Sequence, residues 1–199
     1  MAADPQPGTG GRGTLHPPQH ALRGGEGAER HHRPAPGSGP LILVHRLSHP
    51  LGRLSSPDPF APAPVEARWN SHGVQVAYAG EHIGLTAMEI LTYWANYPNL
   101  QGYDHYMYPL NEADIEDALT TQPGLNPHDK SQTRPFGDTW AEEGRSLALR
   151  VPSVVLPASS NYVINPNHPA YDPGKVVYVG PFVYDQRITS LIEAAKRGD

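Results

Sequence analysis

An α+β fold is predicted for this chain, because its strand-like segments outnumber its helix-like ones and lack the regular strand–helix alternation that builds a parallel sheet. Its 199 residues suit one ordinary domain. Residues 1–40 hold 9 glycines and 7 prolines, so 16 of 40 positions oppose regular structure. They are expected to form a disordered leader ahead of a domain at 41–199.

Leu41–Leu47 is nearly all aliphatic and reads as a buried first strand, with Arg46 near its end. Residues 48–64 are dense in proline and serine. An irregular connection of that length is more often functional than decorative, and a lid over a cleft is the expectation. Val74, Val76 and Tyr78 alternate as one face of a short strand. Gly84–Tyr97 is the clearest helix. Thr86-Ala87-Met88-Glu89 matches a capping box, and Ala87, Met88, Ile90, Leu91, Trp94 and Ala95 share one apolar arc, leaving Glu89 outside it.

Tyr103–Leu110 reads as a further strand. Residues 111–133 are polar and turn-rich, with at most a short helix near 114–119, and Asp138 is placed to cap a brief helix reaching Gly144. Ser146–Val151, Tyr162–Asn165 and Lys175–Tyr184 complete the strands, and Ile188–Lys196 is a terminal helix. No internal repeat is visible.

Composition removes several classes of function. The leader has four arginines against three acids, whereas the rest has 11 basic against 17 acidic residues, the reverse of a nucleic-acid-binding domain. There is no cysteine, hence no disulfide, thiolate metal site or cysteine nucleophile. No apolar run reaches the roughly 18 residues that span a bilayer, which points to a cytoplasmic protein. Gly8-Thr9-Gly10-Gly11-Arg12-Gly13 fits a dinucleotide glycine pattern but has no strand before it or helix after it. The 11 histidines are scattered and supply no clear ligand set, so no metal is expected.

Six residues carry possible chemistry, and each has a plainer reading. Glu89 is a carboxylate able to stabilise a cation, or a helix-capping glutamate. Arg46 and Arg68 are phosphate-gripping forks, or ordinary surface arginines, although Arg46 follows an aliphatic run and would need a partner if turned inward. Tyr78 is a stacking platform or a cross-strand core aromatic. Ser153 is a site hydroxyl or a turn residue after Pro152, with no nucleophile elbow around it. Asn165 lines a cleft or opens the turn at Pro166.

The ordered set Val44–Leu47, Ala67–Gly73, Val76–Gly80, Met88–Leu91, Gly137–Trp140, Leu149–Val155 and Asn161–Pro169 resembles the RES-domain family of toxins from Xre-RES toxin–antitoxin pairs. One departure is Glu66-Ala67, where the family often has glycines. The resemblance implies a fold related to diphtheria-toxin-class ADP-ribosyltransferases, with NAD bound as a substrate whose nicotinamide–ribose bond is cleaved. It implies that Arg46 and Arg68 hold phosphates, Tyr78 packs on the nicotinamide half, Glu89 bonds the ribose 2′-hydroxyl and stabilises the cationic sugar, and Ser153 is a polar site residue. Asn165 is placed in the same cleft. An Xre-type helix-turn-helix antitoxin that makes the DNA contacts, and a homodimer, are the implied partners. Protein ADP-ribosylation and a non-catalytic interaction module are the alternatives.

Overall fold

A computed structural model of the chain describes residues 39–50, 56–61, 65–92 and 101–197. The leader, much of the 48–64 connection and the end of the 84–97 helix lie outside the described residues. Among those described, seven strands form one mixed sheet: β1 (Leu41–Ser48), β2 (Ala77–Gly80), β3 (Tyr103–Asn111), β4 (Ile115–Asp117), β5 (Ala148–Pro152), β6 (Ser160–Ile164) and β7 (Val177–Phe182). Their order is β4-β5-β6-β2-β1-β3-β7, and every pairing is antiparallel except β4 with β5. The α+β expectation holds.

Among the described residues the α-helices are α1 (Ile83–Thr92), α2 (Ala118–Thr121), α3 (Lys130–Glu143) and α4 (Gln186–Arg197). Strand alternation separates two faces. Val44, Tyr108, Leu110, Ala77, Ala79, Tyr162 and Ile164 bury one of them with Phe60. Trp69, Val76, Leu149, Val151, Val163, Phe136 and Trp140 bury the other, with Tyr78 and Val74 packed against them. Leu47, Ala87, Tyr103 and Tyr184 extend this second face beneath α1.

Two helix expectations are corrected. Asp138 does not begin a helix: α3 starts at Lys130, where Asp129 caps it by accepting from Ser131 N–H. Pro135, exposed within α3, removes one helical hydrogen bond and gives the segment its turn-like appearance. Asp138 instead accepts from Ser71 N–H at 2.8 Å. That bond joins α3 to the Trp69–Asn70 segment, and Gly137 makes the join possible: a Cβ there would lie 1.8 Å from the Trp69 carbonyl oxygen. In the 111–133 region, β4 is too short to show a period and is held by its pairing with β5, while the short helix there begins at Ala118.

The rings of His45 and His105 stack at 5.1 Å, with Nδ1 of one 2.9 Å from Nε2 of the other. One nitrogen must donate and the other accept, so the pair cannot hold its hydrogen bond with both rings charged. Burial, then the charge of His82, lowers the pKa of His45 from 6.5; burial, then His45, lowers that of His105. A base with a lowered folded pKa contributes stability that is full above the unfolded value and lost as pH falls toward the folded one. Wild type should therefore lose melting temperature below about pH 6.5. His105→Gln should lose less over the same interval, and an unchanged pH slope in that variant would refute the assignment.

Candidate active site

Gly80 is where α1 meets the sheet. A Cβ there would lie 2.7 Å from Thr86 Oγ1 and 3.3 Å from Thr86 N, so the bare backbone lets the helix sit directly on β2. The capping box expected at Thr86–Glu89 is not formed, because the helix starts a turn earlier. His82 is the cap, its Nδ1 accepting from Leu85 N–H at 3.0 Å, while Thr86 Oγ1 donates to the carbonyl of His45 at 3.1 Å. Met88, assigned to the apolar arc, is 41 % exposed. Freed from capping, Glu89 projects one turn beyond Thr86 over the sheet.

Glu89 Oε1 accepts from Ser153 Oγ at 2.8 Å and from Asn161 Nδ2 at 2.6 Å. Ser153 is buried in the turn after β5, where its oxygen accepts from the backbone amides of Val155 and Leu156 at 3.1 and 3.0 Å. Its own N–H donates to the Ser159 carbonyl at 2.9 Å. Asn161 lies in β6, opposite both Gly80 and Val151. Asn161 opens the Asn161–Pro169 segment but carries no sequence feature that marks it as a site residue. The available signal was the period of two, which puts Asn161 on the face of Val163 and Tyr78.

Tyr78 is opposite Val163, so it and Asn161 are diagonal neighbours on one face, about 7–8 Å apart. Its hydroxyl donates to Asn70 Oδ1 at 2.8 Å and accepts from Trp69 N–H at 3.1 Å. Asn70, fully buried, gives its amide to the carbonyls of Val65, Ser71 and Val74. The phenol is thus fixed at its tip as well as its ring. Its carbonyl is also fixed, by Nη1 of Arg46 at 2.6 Å.

Arg46 leaves β1 on the face of Val44, opposite to Glu89, with its guanidinium 5.8 Å from the Phe60 ring centre. It lies where β1 and β2 separate: their ladder has one partner pair, His45 with Gly80. Arg46 Nε donates to the Pro59 carbonyl at 2.6 Å, tying the 56–61 segment to the sheet. Asp58 secures the same segment by accepting from Tyr171 OH at 2.7 Å, while the Tyr171 ring stacks on Tyr108. Burial, then the Asp58 bond, raises the pKa of Tyr171. The described part of the expected lid is therefore pinned down.

Arg68 Nη1 donates to the carbonyls of Pro127 and His128 at 3.1 and 3.3 Å, and the Arg68 carbonyl accepts from Thr133 Oγ1 at 2.6 Å. It stands beside Trp69 on the Glu89 side of the sheet. Asn165 is 2 % exposed; its amide donates to the Ala141 carbonyl and its oxygen accepts from Asn167 N–H. Those bonds hold Asn165 in the turn that follows β6. The structure brings Glu89, Ser153 and Tyr78 to one face, bonds Arg68 to the segment ahead of α3, and connects Arg46 through the backbone of Tyr78. Among the described residues no group of three or more His, Asp or Glu is placed to hold a metal ion, and no helix is long and apolar enough to cross a membrane.

A mixed sheet with a helix-borne carboxylate fastened over its second face defines an α+β domain with a glutamate-centred polar site. The RES domain model matches residues 43–185, and the chain belongs to the RES domain family. Its similar relatives include a "Prs ADP-ribosylating toxin" of Sphingobium sp. (strain YBL2), 30 % identical over 61 % of this chain and 79 % of that one. A "Toxin Res" of Pseudomonas putida (strain KT2440) is 29 % identical over 62 % and 86 %. The crystal structure of the M. tuberculosis MbcT–MbcA toxin–antitoxin complex contains a chain with the same fold. It matches at a TM-score of 0.55 and 13 % identity, over 78 % of this chain and 91 % of that chain.

Proposed function

We propose that this protein is the toxin of a toxin–antitoxin pair and that it cleaves the nicotinamide–ribose bond of NAD+, with water or inorganic phosphate as acceptor. The observation that carries this reading is the Glu89 carboxylate, fixed through one oxygen by Ser153 and Asn161 beside an anchored Tyr78. When the C1′–N bond breaks, its electron pair stays on the pyridine nitrogen and neutral nicotinamide leaves. The ribose is left with positive charge shared between C1′ and the ring oxygen. A fixed carboxylate stabilises that charge more than it stabilises intact NAD+. The acceptor oxygen then bonds C1′ and releases its proton.

In this reading Tyr78 supports the nicotinamide half and Arg68 contacts a phosphate, while Arg46 acts through its bonds to the Tyr78 and Pro59 carbonyls. The antitoxin would be an Xre-type helix-turn-helix protein that holds the toxin, itself a homodimer, inactive in the cytoplasm. Incubation of purified protein with NAD+ should release one nicotinamide per NAD+ consumed, with ADP-ribose as co-product in buffer, or its 1″-phosphate when phosphate accelerates the loss. Absence of nicotinamide under both conditions would overturn the proposal. The name of the Sphingobium relative favours a second reading, transfer of ADP-ribose to a protein. Adenine-labelled NAD+ separates the two: label on a protein band supports transfer, and soluble label supports consumption.

A further inference from the structure

We infer that Asn161 is a positioning residue for Glu89, and that Asn161 and Ser153 together hold the carboxylate by Oε1 so that Oε2 is the atom presented to the ribose. The inference deepens the reading of Glu89 as the group that faces the sugar of NAD+. It starts from an asymmetry: Oε1 receives hydrogen bonds at 2.8 and 2.6 Å, whereas Oε2 accepts none among the described residues. Donors split between the two oxygens would take one accepting position on each. Loading one oxygen fixes the plane of the group and leaves the other turned out.

Ser153 has little choice of partner. A hydroxyl has two lone pairs and one proton, and the amides of Val155 and Leu156 engage both lone pairs. The remaining proton goes to Glu89. A serine oxygen so engaged has no lone pair to attack a sugar, so its part is orientation. Asn161 is equally constrained, because an amide facing a carboxylate must turn its N–H bonds toward it. Its backbone is laddered on both sides, to β2 and to β5. The acid on α1 is thereby held by a strand and by a turn that are separate from its own helix.

The test is a double-mutant cycle on nicotinamide release. Asn161→Ala should lower kcat about 10- to 100-fold, the range for losing a group that orients an active one, with KM for NAD+ little changed. Asn161→Asp, of the same shape, should be worse than Ala, since it sets a second carboxylate against Glu89. In a Glu89→Gln background, Asn161→Ala should add no further loss. An unchanged kcat in Asn161→Ala, or an equal loss in both backgrounds, overturns the inference.

Melting temperatures read the same pair without turnover. The losses from Asn161→Ala and Glu89→Ala should be less than additive in the double variant. If wild type releases no nicotinamide but the melts are coupled, the NAD reading fails and the fastening stands. If wild type turns over and both cycles are additive, the fastening fails and the NAD reading stands.

Discussion

Glu89→Gln should reduce nicotinamide release by about 100- to 1,000-fold, equivalent to about 2.7–4 kcal/mol of transition-state stabilisation, with little change in melting temperature. Stability is spared because glutamine keeps an oxygen where Ser153 and Asn161 donate, so both bonds to Oε1 survive. What disappears is the negative charge, together with the acceptor at the second position, which becomes an N–H donor. A cationic sugar would then face a neutral amide. Steady-state nicotinamide release alongside thermal melting checks the prediction. Full activity in the glutamine variant would remove Glu89 from the chemistry, and a collapsed melting temperature would make it a structural residue.

Among the described glycines, Gly137→Ala should be the most destabilising single-methyl change. The added Cβ would lie 1.8 Å from the Trp69 carbonyl oxygen and 2.9 Å from the Trp69 carbonyl carbon, and both are backbone atoms that cannot swing aside. Either α3 retreats or the Trp69–Asn70 segment moves. Retreat opens the contact between Trp69 and Phe136 and strains the bond from Ser71 N–H to Asp138. Movement of the segment disturbs two groups bonded to the Tyr78 hydroxyl, Trp69 N–H and Asn70 Oδ1. Overpacking usually costs about 1–3 kcal/mol, and the upper end applies against backbone. At about 2–4 °C per kcal/mol for a domain of this size, the melting temperature should fall by roughly 6–12 °C. A variant that melts within a degree of wild type would show that α3 and Trp69 are not in contact as described.

The alternation at Val74, Val76 and Tyr78 was legible because burial on one face writes a period directly into the residues, whereas the aliphatic run of β1 marked a strand but overstated its burial, Leu41 and Leu43 being exposed. The start of α3 was not, since Pro135 and a polar surface resemble a turn, and the cap at Asp129 gains meaning only once the helix is known. β4 has three residues and exists through its parallel neighbour. At the site, Glu89 could be read as the residue left off an apolar arc, although the reason given for its helix start failed at His82. Tyr78 and Ser153 were visible mainly as members of an ordered set. Asn161 depends on register: it matters because β6 lies beside β2 at Gly80, and adjacency of strands distant in sequence has no local signal. Arg46 shows the same limit, since a strand arginine after an aliphatic run reveals its need for a partner but not that the Pro59 and Tyr78 carbonyls are among its partners.

The single-pair ladder between β1 and β2 gives the sheet a crease. On one side β4, β5, β6 and β2 are sewn by continuous backbone bonds, and on the other β1, β3 and β7 are. Across the crease a side chain does the stitching, with the guanidinium of Arg46 reaching the carbonyl of Tyr78. A backbone seam resists shear along its whole length, whereas a single guanidinium staple concentrates the load at one point. The phenol and both donors to the acid lie on the β2 side of that crease, so a lesion at Arg46 would free the Tyr78 carbonyl from behind while leaving untouched every atom that faces the site.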